Sequence, residues 1–272
     1  MLSLSLKNRK ITTSLPAFVM GIVNATPDSF WEQSRGGTER ALKLIEDGAD
    51  ILDIGAESSR PGSDYVSQEE EIKRLIPVIE QIRKVSDIPI SVDTRKKEVM
   101  KAAFEAGADI LNDISALEDD EEMASYCASI DIPVILMHKR GNPSTMQNHT
   151  KYEDAFDEVN SYLSERVQFA LNNGIKKDKI ILDPGIGFGK DLSANVNLIN
   201  KCGLLCEGQY PVLMALSRKT CIGEITGRPV EQRLAGTLAF NMISVQKGAT
   251  MVRVHDVAQT VDTLKILDYS NR

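Results

Sequence analysis

The segment Asp47-Gly-Ala-Asp-Ile-Leu-Asp-Ile54 recurs twice more along the chain, and this repetition decides the fold. The second copy is Ala106-Gly-Ala-Asp-Ile-Leu-Asn-Asp113, and a looser third copy is Lys247-Gly-Ala-Thr-Met-Val-Arg-Val254. In each copy the glycine suits the position just after a helix, where a positive φ is common. An apolar strand follows almost at once. Such short helix-to-strand connections are typical of a parallel sheet covered by helices.

The same alternation extends over the whole chain. Eight apolar, β-branched runs predict strands at residues 18–25, 51–56, 89–93, 109–113, 133–138, 179–183, 211–216 and 251–255. Helical periodicity between them predicts helices at 38–46, 69–85, 96–105, 121–129, 152–172, 194–205, 230–247 and 258–268. Eight such units in 272 residues predict one α/β domain, residues 1–272, folded as a (β/α)8 TIM barrel.

An open, doubly wound sheet is the alternative architecture. It is disfavoured because no G-x-G-x-x-G follows any predicted strand. Residues 1–16 lie outside the eight units. The runs 2–6 and 11–15 flank a polar turn at 7–10, which predicts an N-terminal β-hairpin. We expect this hairpin to cover the apolar bottom of the barrel.

The charge balance disfavours some classes of partner. The chain has 32 Lys and Arg against 39 Asp and Glu, a net charge of −7, whereas nucleic-acid binders usually carry a basic surface. No run approaches the ~20 apolar residues of a membrane span. The start lacks the apolar core of a secretory signal. These features predict a cytoplasmic protein that binds neither nucleic acid nor membranes.

The four cysteines contain no C-x-x-C pair, and the chain has only three His. This count and spacing disfavour a zinc site and predict buried, reduced thiols. For Cys221 the neighbouring Arg218 and Lys219 favour a lowered thiol pKa, which is the setting of reactive cysteines.

Polar side chains follow the predicted strands at their C-terminal ends, where barrels build active sites. An acidic or amide set comprises Asp93, Asn112 and Asp183, and a cationic set comprises Arg60, Lys219, Arg253 and His255. The first set suits a flat heterocycle with N–H donors, since one carboxylate accepts two parallel N–H bonds. The second set suits phosphate or carboxylate. Arg253 and His255 are two residues apart on one strand and therefore face the same side.

These strand ends lie within motifs that resemble a known family. The motifs are Met20-Gly-Ile-Val-Asn-Ala-Thr-Pro-Asp-Ser-Phe30, Asp53-Ile-Gly-Ala-Glu-Ser-Ser-Arg-Pro-Gly62, Ser91-Val-Asp-Thr94, Asn112-Asp-Ile114, Met137-His-Lys-Arg-Gly141, Leu182-Asp-Pro-Gly-Ile-Gly-Phe-Gly-Lys190, Ser217-Arg-Lys219 and Arg253-Val-His-Asp-Val257. Together and in this order, these motifs resemble those of the dihydropteroate synthase family of pterin-binding barrels, and the resemblance covers essentially the whole chain. The sequence departs from the family pattern at Ala56, Ser59, Lys139, Ala215 and Cys221.

The resemblance implies a transferase of folate biosynthesis. A dihydropterin that carries a hydroxymethyl diphosphate condenses with 4-aminobenzoate to give 7,8-dihydropteroate and diphosphate. The resemblance also implies Mg²⁺ as a cofactor, with Asn24 as its protein ligand. It further implies a homodimer that forms through the last helices of the barrel, where apolar residues occupy more than one helix face.

The resemblance also implies a role for individual residues. The implied catalytic residues are Asp28, Lys219, Arg253 and His255. The residues implied to hold the pterin and the diphosphate are Asn24, Ser59, Asp93, Asn112, Met137, Asp183, Phe188, Lys219, Arg253 and His255. Those implied to hold 4-aminobenzoate are Thr26, Pro27, Phe30, Ser59, Arg60, Phe188, Ser217 and Lys219.

Two alternative functions fit the same fold. A folate-dependent methyltransferase of the same superfamily shares the pterin contacts but has no diphosphate to hold, so Lys219, Arg253 and His255 argue against it. A paralogue that binds a pterin without turnover is disfavoured because every residue that the chemistry needs is present.

Overall fold

The computed structural model describes residues 1–25, 37–57, 65–141 and 150–270. The strands are β1 (Leu2–Ser5), β2 (Lys10–Thr13), β3 (Phe18–Asn24), β4 (Ile51–Gly55), β5 (Ile90–Asp93), β6 (Ile110–Asp113), β7 (Val134–Met137), β8 (Ile180–Asp183), β9 (Leu213–Met214) and β10 (Met251–Val254). The helices are α1 (Gly37–Glu46), α2 (Gln68–Arg83), α3 (Lys97–Glu105), α4 (Met123–Ile130), α5 (Ala155–Asn172), α6 (Leu192–Lys201), α7 (Thr220–Thr226), α8 (Leu234–Gln246) and α9 (Val257–Ser270). Within these ranges no helix has both the length and the apolar character needed to span a membrane.

Strands β3 to β10 form one parallel barrel. Their order is β8-β7-β6-β5-β4-β3-β10-β9, and every pairing between neighbours is parallel. A parallel bridge between Leu182 and Val212 joins the two edges, and the Leu182 N–H donates to the Pro211 carbonyl at 2.9 Å. The sheet therefore closes on itself. This confirms the predicted TIM barrel and excludes the open sheet.

The repeated segments behave as the sequence predicts. Gly48, Gly107 and Gly248 have φ of 95°, 115° and 104°, and each lies between a helix and the next barrel strand. A left-handed residue at this point reverses the chain while the last carbonyls of the helix still find backbone donors. Helix and strand are thus joined with almost no loop.

Three helical predictions need correction. The helix predicted at 194–205 ends at Lys201, because a 3₁₀ segment follows in which Cys206 and Glu207 are left-handed. Helix α8 begins at Leu234 rather than at 230, after a separate 3₁₀ turn. Helix α7 was missed because it has only 7 residues and contains a glycine.

The barrel has a second, smaller core at its N-terminal end. Strands β1 and β2 pair antiparallel as a hairpin, and the buried side chains of Leu4 and Leu6 pack with Phe18, Met20 and Ile51. These last three side chains come from the starts of barrel strands. The hairpin therefore lies across the end of the barrel opposite to the candidate site.

All four cysteines are free and buried, as the sequence predicts. The expectation of a lowered thiol pKa at Cys221 is wrong. Burial raises the pKa of this thiol, and the nearby positive charge of Lys219 only partly offsets that effect.

Candidate functional site

Arg253 on β10 lies at the centre of a buried ion-pair cluster inside the barrel. Its Nε lies 2.5 Å from Oδ2 of Asp53 on β4, and its Nη2 lies 3.1 Å from Oδ2 of Asp93 on β5. The Asn112 amide on β6 donates to the Asp53 carboxylate at 3.2 Å. The register of the sheet explains this meeting, since Asp93 is the neighbour of both Gly55 and Asn112. One cation, two carboxylates and one amide thus form a continuous polar wall.

Asp53 is one residue of the site whose role the sequence did not reveal. It is the first residue of the motif at 53–62, yet the resemblance implied no role for it. Its exposed fraction is 0 %, and every residue of β4 is buried. A carboxylate in the middle of a buried strand was the available signal, because such a charge requires a partner. The partner, Arg253, lies far along the chain and only the fold reveals it.

The pKa values of Asp93 and Arg253 are both shifted within this cluster. Burial raises the pKa of Asp93 to about 7, while the charge of Arg253 opposes this rise and the charge of Asp53 adds to it. Burial also acts against the charge of Arg253, but the two carboxylates raise the pKa of its guanidinium. Near neutral pH the guanidinium is therefore charged, whereas Asp93 exchanges readily between its two protonation states.

A glycine-rich loop, defined as residues 184–190, follows β8 and forms one side of the site. At Gly185 φ is +66°, and an added Cβ would lie 1.9 Å from the carbonyl oxygen of His138. Only glycine fits this close approach. Further along, the Gly187 N–H donates to the amide oxygen of Asn195 on α6 at 2.8 Å. The loop is therefore packed tightly between β7 and α6.

Lys219, which precedes α7, lies against this loop. Its Nζ donates to the Ile186 carbonyl at 2.7 Å and lies 4.3 Å from the centre of the Phe188 ring. Burial lowers the pKa of Lys219 to about 8, and the charge of Asp183 opposes that shift. Burial raises the pKa of Asp183, whose Oδ1 accepts the Gly185 N–H at 2.7 Å. An ammonium, a carboxylate and an aromatic face thus meet beside the loop.

His255 follows β10 and is tied to the end of the neighbouring strand. Its Nδ1 lies 2.9 Å from the Ser217 hydroxyl, which also accepts the His255 backbone N–H at 3.2 Å. Asn24 ends β3 and Met137 ends β7 at this same end of the barrel. The structure therefore gathers Asn24, Asp93, Asn112, Met137, Asp183, Phe188, Ser217, Lys219, Arg253 and His255 at one barrel end.

The remaining predicted site residues lie outside the described residues. They are Thr26, Pro27, Asp28, Phe30, Ser59 and Arg60. Next to them in the chain, a second ion-pair cluster joins Glu57 to residues that follow β5. Lys96 Nζ lies 2.5 Å from Glu57 and 2.6 Å from Glu71, and it also donates to the Val66 carbonyl at 2.9 Å. Lys96 thereby fixes the chain on both sides of residues 58–64.

The oxygen donors of the site suit a metal ion only where a bound phosphate and waters supply most of its ligands. In the described part of the chain, no three His, Cys, Asp or Glu side chains gather as a metal site. The carboxylates of Asp53 and Asp93 already bind Arg253. The neutral amide of Asn24 fits Mg²⁺ whose other ligands are waters and phosphate oxygens. It does not fit a metal held by protein groups alone.

Comparisons with known proteins give one consistent result. The family described as pterin binding enzyme matches residues 20–255. A dihydropteroate synthase of Haemophilus influenzae is 43 % identical over 264 residues, which cover 95 % of each chain. The solved dihydropteroate synthase of Xanthomonas albilineans with 4-aminobenzoic acid is 44 % identical at a TM-score of 0.91, covering 99 % of this chain and 98 % of that one. The same enzyme in complex with 7,8-dihydropteroate has 42 % identity and a TM-score of 0.86, with the same coverage.

Proposed function

The chain belongs to the family of pterin binding enzymes, and from this premise we propose that it catalyses the reaction of the dihydropteroate synthases. It condenses (7,8-dihydropterin-6-yl)methyl diphosphate with 4-aminobenzoate to give 7,8-dihydropteroate and diphosphate in folate biosynthesis. The aniline nitrogen attacks the pterin methylene carbon, and the bond from that carbon to the diphosphate oxygen breaks. One observation carries the assignment: the Arg253 cluster and the Lys219–Phe188 pair lie at the same end of one barrel.

The polar wall and the glycine-rich loop suit the two sides of a pterin. Asp93, Asn112 and Asp183 supply acceptors for the ring N–H groups, and a carboxylate can accept two of them side by side. The Lys219 ammonium, which now donates to a loop carbonyl at 2.7 Å, supplies a donor for the ring oxygen. Phe188 and Met137 supply apolar surface for the ring faces.

The diphosphate belongs beside Arg253 and His255. The two carboxylates orient the guanidinium, and Ser217 fixes the imidazole through Nδ1 at 2.9 Å. Groups that are already oriented stabilise the charge on the leaving group without reorganisation during the reaction. Asn24 would hold Mg²⁺, which would supply further stabilisation of that charge when bound. For 4-aminobenzoate, the residues implied by the family pattern that the structure describes are Phe188, Ser217 and Lys219.

A diphosphate-release assay tests the proposal. Purified protein receives the dihydropterin diphosphate with and without 4-aminobenzoate, and with Mg²⁺ or with a chelator. We expect release that requires both 4-aminobenzoate and Mg²⁺ and that is lost in Lys219→Ala. Lys73→Ala, which alters a side chain that is 80 % exposed, is the matched control and should retain activity. Release without dependence on 4-aminobenzoate would contradict the proposed reaction, and release with the chelator would contradict the role of Mg²⁺.

The exposure of apolar side chains on helix α8 supports the proposal that the protein is a homodimer. The helix buries the small polar residues Thr237, Asn241 and Ser244 and leaves its apolar side chains only partly covered. The neighbouring helices α7 and α9 expose Ile225 and Ile266. A helix that leaves several apolar side chains partly exposed is typical of an interface. Light scattering at micromolar concentration should give twice the mass of the chain, and a mass of one chain would contradict the dimer.

The four free cysteines support a reducing compartment, and we place the enzyme in the cytoplasm on that ground. Titration of thiols in protein that has been denatured without reductant should find all four of them. A smaller number would indicate disulfides and would count against this location.

A further inference from the structure

Lys190, the last residue of the glycine-rich loop, is a buried cation that the reaction proposed above does not use. Only 4 % of the residue is exposed. Its Nζ lies 2.9 Å from the Gly185 carbonyl oxygen, 3.1 Å from that of Phe188 and 3.3 Å from that of His138. A fourth neighbour, Nδ1 of the His138 ring, lies 2.9 Å away. One nitrogen atom thus joins both arms of the loop to the residue that follows β7.

The chemistry of these partners explains why lysine stands at this position. An ammonium has three N–H donors on one atom, and three carbonyl oxygens surround it. Burial lowers the pKa of the His138 ring to about 2, so the imidazole is neutral and adds no competing charge. Burial also lowers the pKa of Lys190 well below its ordinary value, whereas the charge of Asp183 and the three carbonyl acceptors favour the ammonium. Without this nitrogen, buried carbonyls would lose their donor, which is costly.

The carbonyls that Lys190 holds belong to the residues that carry the site. Gly185 accepts from Lys190 through its carbonyl and fixes Asp183 through its N–H at 2.7 Å. Phe188 accepts from Lys190 through its carbonyl, and its ring lies 4.3 Å from the Lys219 ammonium. A shift of the loop backbone would therefore displace a carboxylate and an aromatic ring together.

We propose that Lys190 is a positioning residue for the pterin pocket, which sets the places of Asp183 and Phe188 through the backbone of the glycine-rich loop. The inference rests on the proposed pterin substrate. It assigns to Lys190 no contact with that substrate, because the side chain is directed to the backbone of its own loop and of His138. Removal of the Lys190 ammonium is expected to reduce the affinity for the pterin more than it reduces the free energy of unfolding.

The chain offers a matched control for this substitution. Lys179 is equally buried, and its Nζ donates to the Leu6 carbonyl at 2.9 Å at the opposite end of the barrel. Lys190→Met and Lys179→Met therefore remove the same ammonium from two equally buried positions, although Lys179 also lies 3.9 Å from the Asp131 carboxylate. A role in stability alone would lower the Tm in both variants and leave their affinities for the pterin alike.

Equilibrium binding of the dihydropterin diphosphate with Mg²⁺, measured by calorimetry without 4-aminobenzoate, is the decisive experiment. We expect the dissociation constant to rise about tenfold or more in Lys190→Met, which corresponds to the loss of one charged hydrogen bond between the displaced Asp183 and the pterin. It should stay within about twofold of the parent in Lys179→Met. Lys190→Gln, which keeps an N–H donor, should lie between Lys190→Met and the parent.

The outcomes separate this inference from the proposed function. If the parent does not bind the dihydropterin diphosphate, the proposed function fails and the positioning role falls with it. If the parent binds and Lys190→Met binds equally well, only the positioning role is refuted. If neither Lys190→Met nor Lys190→Gln folds, the residue is a requirement of the barrel itself, and the positioning role is likewise refuted.

Discussion

Replacement of Asp53 tests the central cluster most directly. Asp53→Ala removes a fully buried carboxylate that lies 2.5 Å from the Arg253 guanidinium. Breaking a buried pair from one side costs about 3–5 kcal/mol, because a buried charge is left without its partner. Arg253 still retains Asp93 at 3.1 Å. We therefore expect a loss near the lower limit, about 3 kcal/mol, or a fall in Tm of about 6–12 °C for a domain of this size.

The same cluster predicts a pH dependence of stability with a definite sign. The pKa of Asp93 is about 7 in the folded protein, above its ordinary value, so the folded state binds the extra proton. The unfolding free energy should consequently fall as the pH rises from about 4 towards about 7. Asp53→Asn removes a charge that raises the pKa of Asp93. This variant should reach its lowest stability at a lower pH than the parent.

Thermal unfolding between pH 4 and pH 8 measures both effects, and binding of the dihydropterin diphosphate is measured in parallel. The control is Asp109→Ala, which breaks the 2.7 Å pair of Asp109 with Arg83 at the other end of the barrel. That control should lose stability and keep its affinity for the pterin, whereas Asp53→Ala should lose both. A fall in Tm of less than about 2 °C in Asp53→Ala, or an unchanged pH profile in Asp53→Asn, would refute the coupling described here.

Three further predictions concern other parts of the site. Because burial lowers the pKa of Lys219 to about 8, affinity for the pterin should decline as the pH rises through this value, and Lys219→Met should abolish the decline. Gly185→Ala should lower kcat/KM at least about tenfold, because the added Cβ would meet a backbone oxygen. Its control is Gly227→Ala, where φ is +68° and the space is open, and this variant should lose only about 1 kcal/mol of unfolding free energy. Ser217→Ala removes the hydroxyl that orients His255, and kcat should fall about fivefold with little change in Tm; equal rates would contradict that role.

The sequence predicted the fold well because the fold depends on local patterns. Each observed barrel strand lies within two residues of its predicted ends, since apolar runs and the glycines that follow helices are written locally in the chain. The meeting of Asp93, Asn112 and Arg253 also followed from rules of the barrel. Their side chains come from the C-terminal ends of strands, and such ends converge.

The parts that the sequence did not reveal depend on partners distant in the chain or on the backbone itself. The role of Asp53 becomes visible only with its partner Arg253, which lies 200 residues further along the chain. Lys190 stood within a recognised motif, but its partners are carbonyl oxygens, which every residue possesses and no sequence pattern marks. The raised thiol pKa of Cys221 was missed for a third reason, because burial outweighs a nearby charge.

The manner in which the glycine-rich loop is held also determines where the enzyme is able to vary. Lys219 and Lys190 donate to the carbonyl oxygens of residues 186 and 188, which residues of every type possess. A new side chain at position 188 therefore alters the surface beside the Lys219 ammonium while these hydrogen bonds persist, whereas Ile186 is fully buried in the hydrophobic core and has no such freedom. Positions 185 and 190 have no such freedom, because the backbone itself depends on them. Changes in ligand or inhibitor preference can thus arise at position 188 without loss of the hydrogen bonds that hold the loop.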